Sequence, residues 1–156
     1  GEEEVIPVLK DTEKNLKLLA DSWRMAQEID KAIPVLEKAA KMSKDGDTYV
    51  LLGNLYLFED RMKDSIRAIE AGLKKPKVKS RSQAQLVLGQ AHFELQNFEE
   101  AKKQFRLAAR DDNKRIKKTA NSWIKYAENE EIRVKNLALR RDFIQQSKAK
   151  TKAKNS

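Results

Sequence analysis

The side chains able to do covalent or acid–base chemistry are few in this chain. The only histidine, His92, sits inside the apolar run "VLGQAHFELQ", where an imidazole reads as a packing residue rather than a base. Carboxylates occur as the neighbours Glu2–Glu3–Glu4, Glu99–Glu100 and Glu130–Glu131. Adjacent residues on a helix do not face one another, so these read as solvated acids and not as a catalytic pair. There is no cysteine, which excludes disulfides and thiolate metal sites and leaves the compartment open. No glycine cluster resembles a phosphate loop, and no G-x-S-x-G elbow is present. No catalytic residue, metal ligand or cofactor is expected, and the chain reads as a non-enzyme with no small-molecule substrate.

Charge supplies a second candidate chemistry. Of the net +9, residues 132–156 carry +7, with eight Lys or Arg and one acid, Asp142. The remaining body is nearly neutral. A basic terminus of this kind suits polyanions, through counterion release, or an acidic protein surface. Phe143 is its only aromatic, and the absence of interleaved rings for base stacking argues against nucleic acid.

Ala, Leu, Glu, Lys, Gln and Arg dominate long stretches, interrupted by only five Gly and three Pro. These are the good helix formers, and strand-like alternation is nowhere sustained, so the chain is expected to be all-α. No apolar run approaches the roughly 18–20 residues of a membrane span. The chain opens on Gly1 rather than Met, as expected of a piece of a longer protein, and whether repeats lie upstream stays open.

Two glycines disclose the organisation. Gly53 and Gly89 each lie within a run of apolar helix formers, where Gly costs about 0.5–1 kcal/mol against Ala. Aligning them gives three units, starting at Glu13, Gly46 and Ser82, 33 and 36 residues apart. With the first residue of a unit counted as offset 1, offset 8 holds Ala20, Gly53 and Gly89. Offsets 4, 7 and 11 hold Leu16, Leu19 and Trp23, then Tyr49, Leu52 and Tyr56, then Gln85, Leu88 and His92. Offsets 20, 24 and 27 hold Ala32, Leu36 and Ala39, then Ser65, Ile69 and Gly72, then Ala101, Phe105 and Ala108. Small residues at offsets 8, 20 and 27 let paired helices approach, and large ones fill the space between pairs. Turns are expected at "EDRMKD" (59–64) and "LQNFEE" (95–100), and a longer link at 74–83 capped by Ser80 or Ser82. Pro34 is expected in about the first helical turn, where its missing N–H costs little.

This order of small and large residues resembles the tetratricopeptide repeat. The resemblance implies a right-handed superhelix of helix-turn-helix repeats at 13–45, 46–81 and 82–115. Residues 1–12, whose "VIPVLK" echoes "AIPVLE" at 32–37, read as the remnant of an upstream helix. Residues 116–146 read as a long capping helix with the stripe Ile116, Ala120, Trp123, Ile124 and Ala127, since a terminal repeat needs a cap. Residues 147–156, rich in Lys, Ala and Ser, are expected to be a disordered basic tail.

In such arrays the first helix of each repeat lines a concave groove, typically through offsets 2, 5, 9, 12 and 13. The resemblance therefore implies a protein- or peptide-binding surface containing Lys17, Arg24, Val50, Asn54, Leu57, Phe58, Leu86, Gln90 and Phe93. The apolar members would form a patch and the two amides would pair with a ligand backbone. The Lys, Asn and Arg set with which some members clamp a chaperone's C-terminal carboxylate is not matched, because its positions read Lys17, Asp21, Leu51, Gln83 and Val87. The segments "LLGNLYLFEDRMKDSIRAIEAGLKKP" and "KKTANSWIKYAENEEIR", above all the W-I-x-Y element, resemble bacterial tetratricopeptide proteins encoded with TonB systems. That resemblance implies a periplasmic accessory of outer-membrane import. The competing reading is a cytoplasmic adaptor, or an RNA-associated protein using the basic tail.

Overall fold

A computed structural model describes residues 10–156. Seven helices follow one another: α1 (Glu13–Met25), α2 (Ile29–Met42), α3 (Asp47–Phe58), α4 (Met62–Leu73), α5 (Arg81–Glu94), α6 (Phe98–Ala108) and α7 (Lys114–Lys154). No strand occurs among the described residues. Residues 1–9 lie outside them, and with these most of the segment expected as an upstream remnant. Of that segment Thr12 caps α1, its Oγ1 accepting from the Asn15 amide at 3.2 Å.

Helices pair as α1 with α2, α3 with α4 and α5 with α6, and each pair leans on the next. The alternation of small and large residues produces this arrangement. Ala20, Ala32, Ser65, Ala101, Leu36, Ile69 and Phe105 are all fully buried. A Cβ added at Gly53 would collide with the Ile69 side chain, and one at Gly89 with the Phe105 ring. Each glycine thus gives up helix propensity so that a large offset-24 residue can lie against its backbone. In the middle unit the contact is reinforced by the Ser65 hydroxyl, which donates to the Gly53 carbonyl at 2.7 Å.

The turns inside the three repeats are copies of one another. Gln27, Asp60 and Gln96, all at offset 15, adopt φ of 60°, 58° and 59°. The next amide in each case (Glu28, Arg61, Asn97) reaches back at 2.8 Å to the carbonyl of Trp23, Tyr56 or His92. This is the Schellman closure, which satisfies carbonyls left free at a helix end. The turns occupy three residues each, shorter than the stretches expected from composition. For the same reason α2 begins at Ile29, and Pro34 stands sixth in it rather than in its first turn. The carbonyl of Asp30 therefore lacks its usual helical donor. Ser80 is the cap of α5, accepting from Gln83 N at 3.2 Å.

The end of the chain departs from expectation. Residues 147–154 are not a disordered tail but the last turns of α7, which runs unbroken for 41 residues. Lys, Ala, Gln and Ser continue a helix that is already nucleated, and propagation is far less costly than nucleation. No Gly or Pro stands in the way. Ala120 and Ala127 are buried, Trp123 and Val134 are partly so, and everything from Lys135 onward is exposed.

Candidate protein-interaction site

The nine residues implied by the groove pattern divide according to offset. Val50 and Leu57, at offsets 5 and 12, pack with Val87 and Leu88 of α5. Leu86 and Phe93, the same offsets one repeat later, are 3% and 9% exposed. They join a cluster with Trp123 and Ile124 of α7. The Phe93 ring stacks on Tyr126 (centroids 5.1 Å apart, 28° between planes) and meets Trp123 and Phe98 edge-on at 5.6 and 5.8 Å. Phe105 stacks on Trp123 from below at 5.4 Å and 16°. In the second and third repeats offsets 5 and 12 therefore face the next first helix, and α7 occupies the place that such a helix would take. The physical reason is one of supply: large apolar residues at those offsets are used to join neighbours, leaving offsets 9 and 13 to face outward.

What stays accessible is more polar. Phe58, at offset 13, is 76% exposed. Asn54 and Gln90, both at offset 9, are half-buried. The Asn54 amide nitrogen donates to the Val50 carbonyl at 3.1 Å, which leaves its carbonyl oxygen as an acceptor. On α1, Lys17 pairs with Glu13 at 2.7 Å and Arg24 with Asp21 at 3.1 Å, both at the surface. The Lys17 ammonium holds the Glu13 carboxyl below its ordinary range, and the Glu13 hydrogen bond raises Lys17 in turn. Such exposed pairs open easily to a competing ligand. Beside Tyr126 an open hollow of about 500 Å³ is lined by Lys118, Thr119, Ser122 and Trp123. The groove pattern does not reach these residues. Their signal in the sequence is the W-I-x-Y element itself, whose tyrosine extends beyond the buried stripe.

The remaining candidates for chemistry are accounted for by packing. His92 is buried, with its Nδ1 3.2 Å from the Asn97 side-chain amide, and burial pushes the imidazole below its ordinary value. Tyr56 donates to Glu37, and burial followed by that bond pushes its phenol upward. Among the described residues no group of His, Cys, Asp or Glu is placed to hold a metal ion, and no helix is long and apolar enough to cross a membrane. One interaction has no sequence signal. Lys102 of α6, almost buried, reaches Glu131 of α7 at 2.7 Å and Glu99 at 2.9 Å.

Comparison with known proteins agrees with this architecture. Residues 82–110, the third repeat, match the tetratricopeptide repeat family. The helical array resembles two solved structures. One is PcrH in complex with the chaperone-binding region of PopD, at TM-score 0.65 and 13% identity, covering 81% of this chain and 98% of that one. The other is the Yersinia enterocolitica type III secretion chaperone SycD in complex with a peptide of the translocator YopD, at 0.66 and 15%, covering 82% and 98%. The fold is a tetratricopeptide-type helical repeat. No curated protein sequence matches the chain. Within the tetratricopeptide frame the residue assignments become interpretable: α1, α3 and α5 are first helices, α2, α4 and α6 are second helices, and α7 begins as a fourth first helix before outrunning the body.

Proposed function

We propose that the protein is a non-enzymatic scaffold that binds an extended protein segment along the first helices. The observation that carries this reading is the row of partly exposed amides at one offset, Asn54 and Gln90, with the exposed ring of Phe58 one turn along α3 from Asn54. Amides at a repeat spacing suit the alternating donors and acceptors of a peptide backbone, and an exposed aromatic is a typical energetic anchor. The two solved structures it resembles were both captured with a peptide or binding region of another protein, which supports a peptide as the occupant. Lys17 and Arg24 would extend the surface toward acidic side chains. Leu86 and Phe93 belong to it through what they hold in place, since they set Tyr126 and the hollow beside it.

The test is an affinity capture that compares the parent with Asn54→Ala/Phe58→Ala. The double variant is expected to keep its helicity and melting temperature and to lose the main partner. Equal recovery by both proteins would remove the surface from consideration. The TonB-system resemblance of the W-I-x-Y segment supports a periplasmic partner from the outer-membrane import machinery. Recovery of only ribosomal or RNA-bound proteins would favour the cytoplasmic adaptor instead.

A further inference from the structure

The buried stripe of α7 does not stop where the body stops. Ile116, Ala120, Trp123, Ala127 and Val134 recur at alternating three- and four-residue steps, with Glu130 completing the series, and cover the last repeat. The same steps continue through Leu137, Arg141, Ile144, Lys148 and Thr151. Such steps keep one seam on one side of a helix, and apolar residues on it mark coiled-coil pairing; here Val134, Leu137 and Ile144 are its apolar members, and Arg141, Lys148 and Thr151 are polar. Beyond Val134 the seam touches nothing: Leu137 and Ile144 are 46% and 45% exposed. The projecting part, residues 135–154, is about 30 Å long at 1.5 Å per residue. It carries seven Lys or Arg against a single acid, Asp142.

We propose that the projecting half of α7 is a second interaction site, and that its occupant is an acidic amphipathic helix of a partner protein, paired along the seam from Val134 to Thr151. The charges select this occupant. Arg141 and Lys148 lie in the seam itself, and Arg133, Arg140, Lys152 and Lys154 flank it, so every seam charge and every flanking charge on this stretch is positive. A second copy would set basic residues against basic residues in either orientation, whereas glutamates on the partner would meet them as interhelical ion pairs. A membrane surface fits less well, because binding there needs one continuous apolar face. The other two exposed apolar residues of this stretch stand off the seam, Leu139 about 160° round the helix from Leu137 and Phe143 about 100° from Ile144, with which it lines one shallow hollow, so the apolar groups are spread round the helix. The site is separate from the groove, since all of it but its first residue, Val134, lies beyond the packed part of α7.

The probe is a synthetic three-heptad peptide with Leu at its seam and Glu at both flanks. Its control is a peptide of the same composition, reordered so that no seam exists. Binding to the full chain is read by fluorescence anisotropy at physiological salt, and the seamed peptide is expected to bind roughly tenfold tighter than the control. Leu137→Ala/Ile144→Ala should remove that preference with the melting temperature unchanged, while Leu139→Ala/Phe143→Ala should preserve it. Equal binding of the two peptides would reduce the site to bulk charge and overturn the proposal. So would dependence on Leu139 and Phe143 instead, tighter binding to phosphatidylserine vesicles or to a single-stranded RNA than to the seamed peptide, or sedimentation showing that the chain pairs with itself through Leu137 and Ile144.

Discussion

Leu19, Leu52 and Leu88 occupy the same offset in the three repeats, yet Leu19 is 45% exposed and the other two are 3% exposed. At the α1 end the large residues have no preceding helix pair among the described residues, and Leu18 and Met25 are also open to solvent. At the α5 end the next helix is present, and the rings of Phe93, Phe98, Phe105, Trp123 and Tyr126 interlock across α5, α6 and α7. Among the described residues, the one ring interaction of the first repeat is Lys31 over Trp23, 4.8 Å from the centroid. One pattern therefore yields a tightly closed end and an open one. In a repeat protein an offset fixes which way a residue points, and the neighbour decides whether that direction is core or surface.

The contrast predicts a gradient of mutational cost, measurable by chemical denaturation. Phe105→Ala removes a fully buried ring and its stack on Trp123, and is expected to cost about 3–5 kcal/mol. At the open end Trp23→Ala should cost only about 1–2 kcal/mol, because a half-exposed ring gives up less on unfolding. Similar losses at both ends would break the comparison.

Next in size is Gly89→Ala. The new methyl meets the Phe105 ring, and overpacking of this kind costs about 1–3 kcal/mol. The reverse exchange at the equivalent place, Ala20→Gly, should cost about 2 kcal/mol, from helix propensity and from the loss of a buried methyl.

Acid sharpens the contrast in another way. Lys102 holds the Glu131 carboxyl below its ordinary value of 4.5. Since the folded value is the lower one, the pair stabilises the closed end above that pH and is lost as pH falls through the folded value. On the other side, Glu131 and Glu99 raise the Lys102 ammonium above 10.5, so its contribution is full below that pH and disappears as pH rises through the folded value. Glu131→Gln should therefore lower the melting temperature at pH 7, by an amount that shrinks as pH falls below 4.5 and through the folded value. A constant offset across that range would mean that the pair contributes nothing.

Phe58→Ala should change stability by less than about 0.5 kcal/mol, as surface substitutions do, while Phe93→Ala lowers it clearly. Smallest of all, ending the chain at Val134 should leave the melting temperature nearly where it was, because every residue beyond it is exposed and the ion pair removed, Lys135 with Glu131 at 3.4 Å, lies at the surface. Helical circular dichroism should fall in proportion to the residues removed.

Much of this architecture is legible in the sequence, and the reasons differ by residue. Gly53, Gly89, Leu36, Ile69 and Phe105 can be placed because a small residue facing a large one, repeated in order, arises from close helix pairing and from little else. Leu86 and Phe93 can be placed on the right helix but not in the right environment. Their burial depends on α7 standing where a fourth first helix would, 30 residues downstream of Phe93 at Trp123. The Lys102–Glu131 bridge is illegible for a related reason: the partners lie on different helices, and nothing local marks either one. The helical end of α7 is hidden because Lys/Ala/Ser composition describes a solvated segment and does not say whether a helix enters it already formed.

Among the described residues, every packed pair of helices lies within two elements of its partner along the sequence. Folding consequently closes only short loops, and chains with such local contacts fold in microseconds to milliseconds. The same topology lets the molecule open from one end without dissolving the other. Amide exchange should be fastest in α1, slower in α3 and slowest where α5 and α6 meet α7, so that the open end breathes while the aromatic end keeps the register of the whole array.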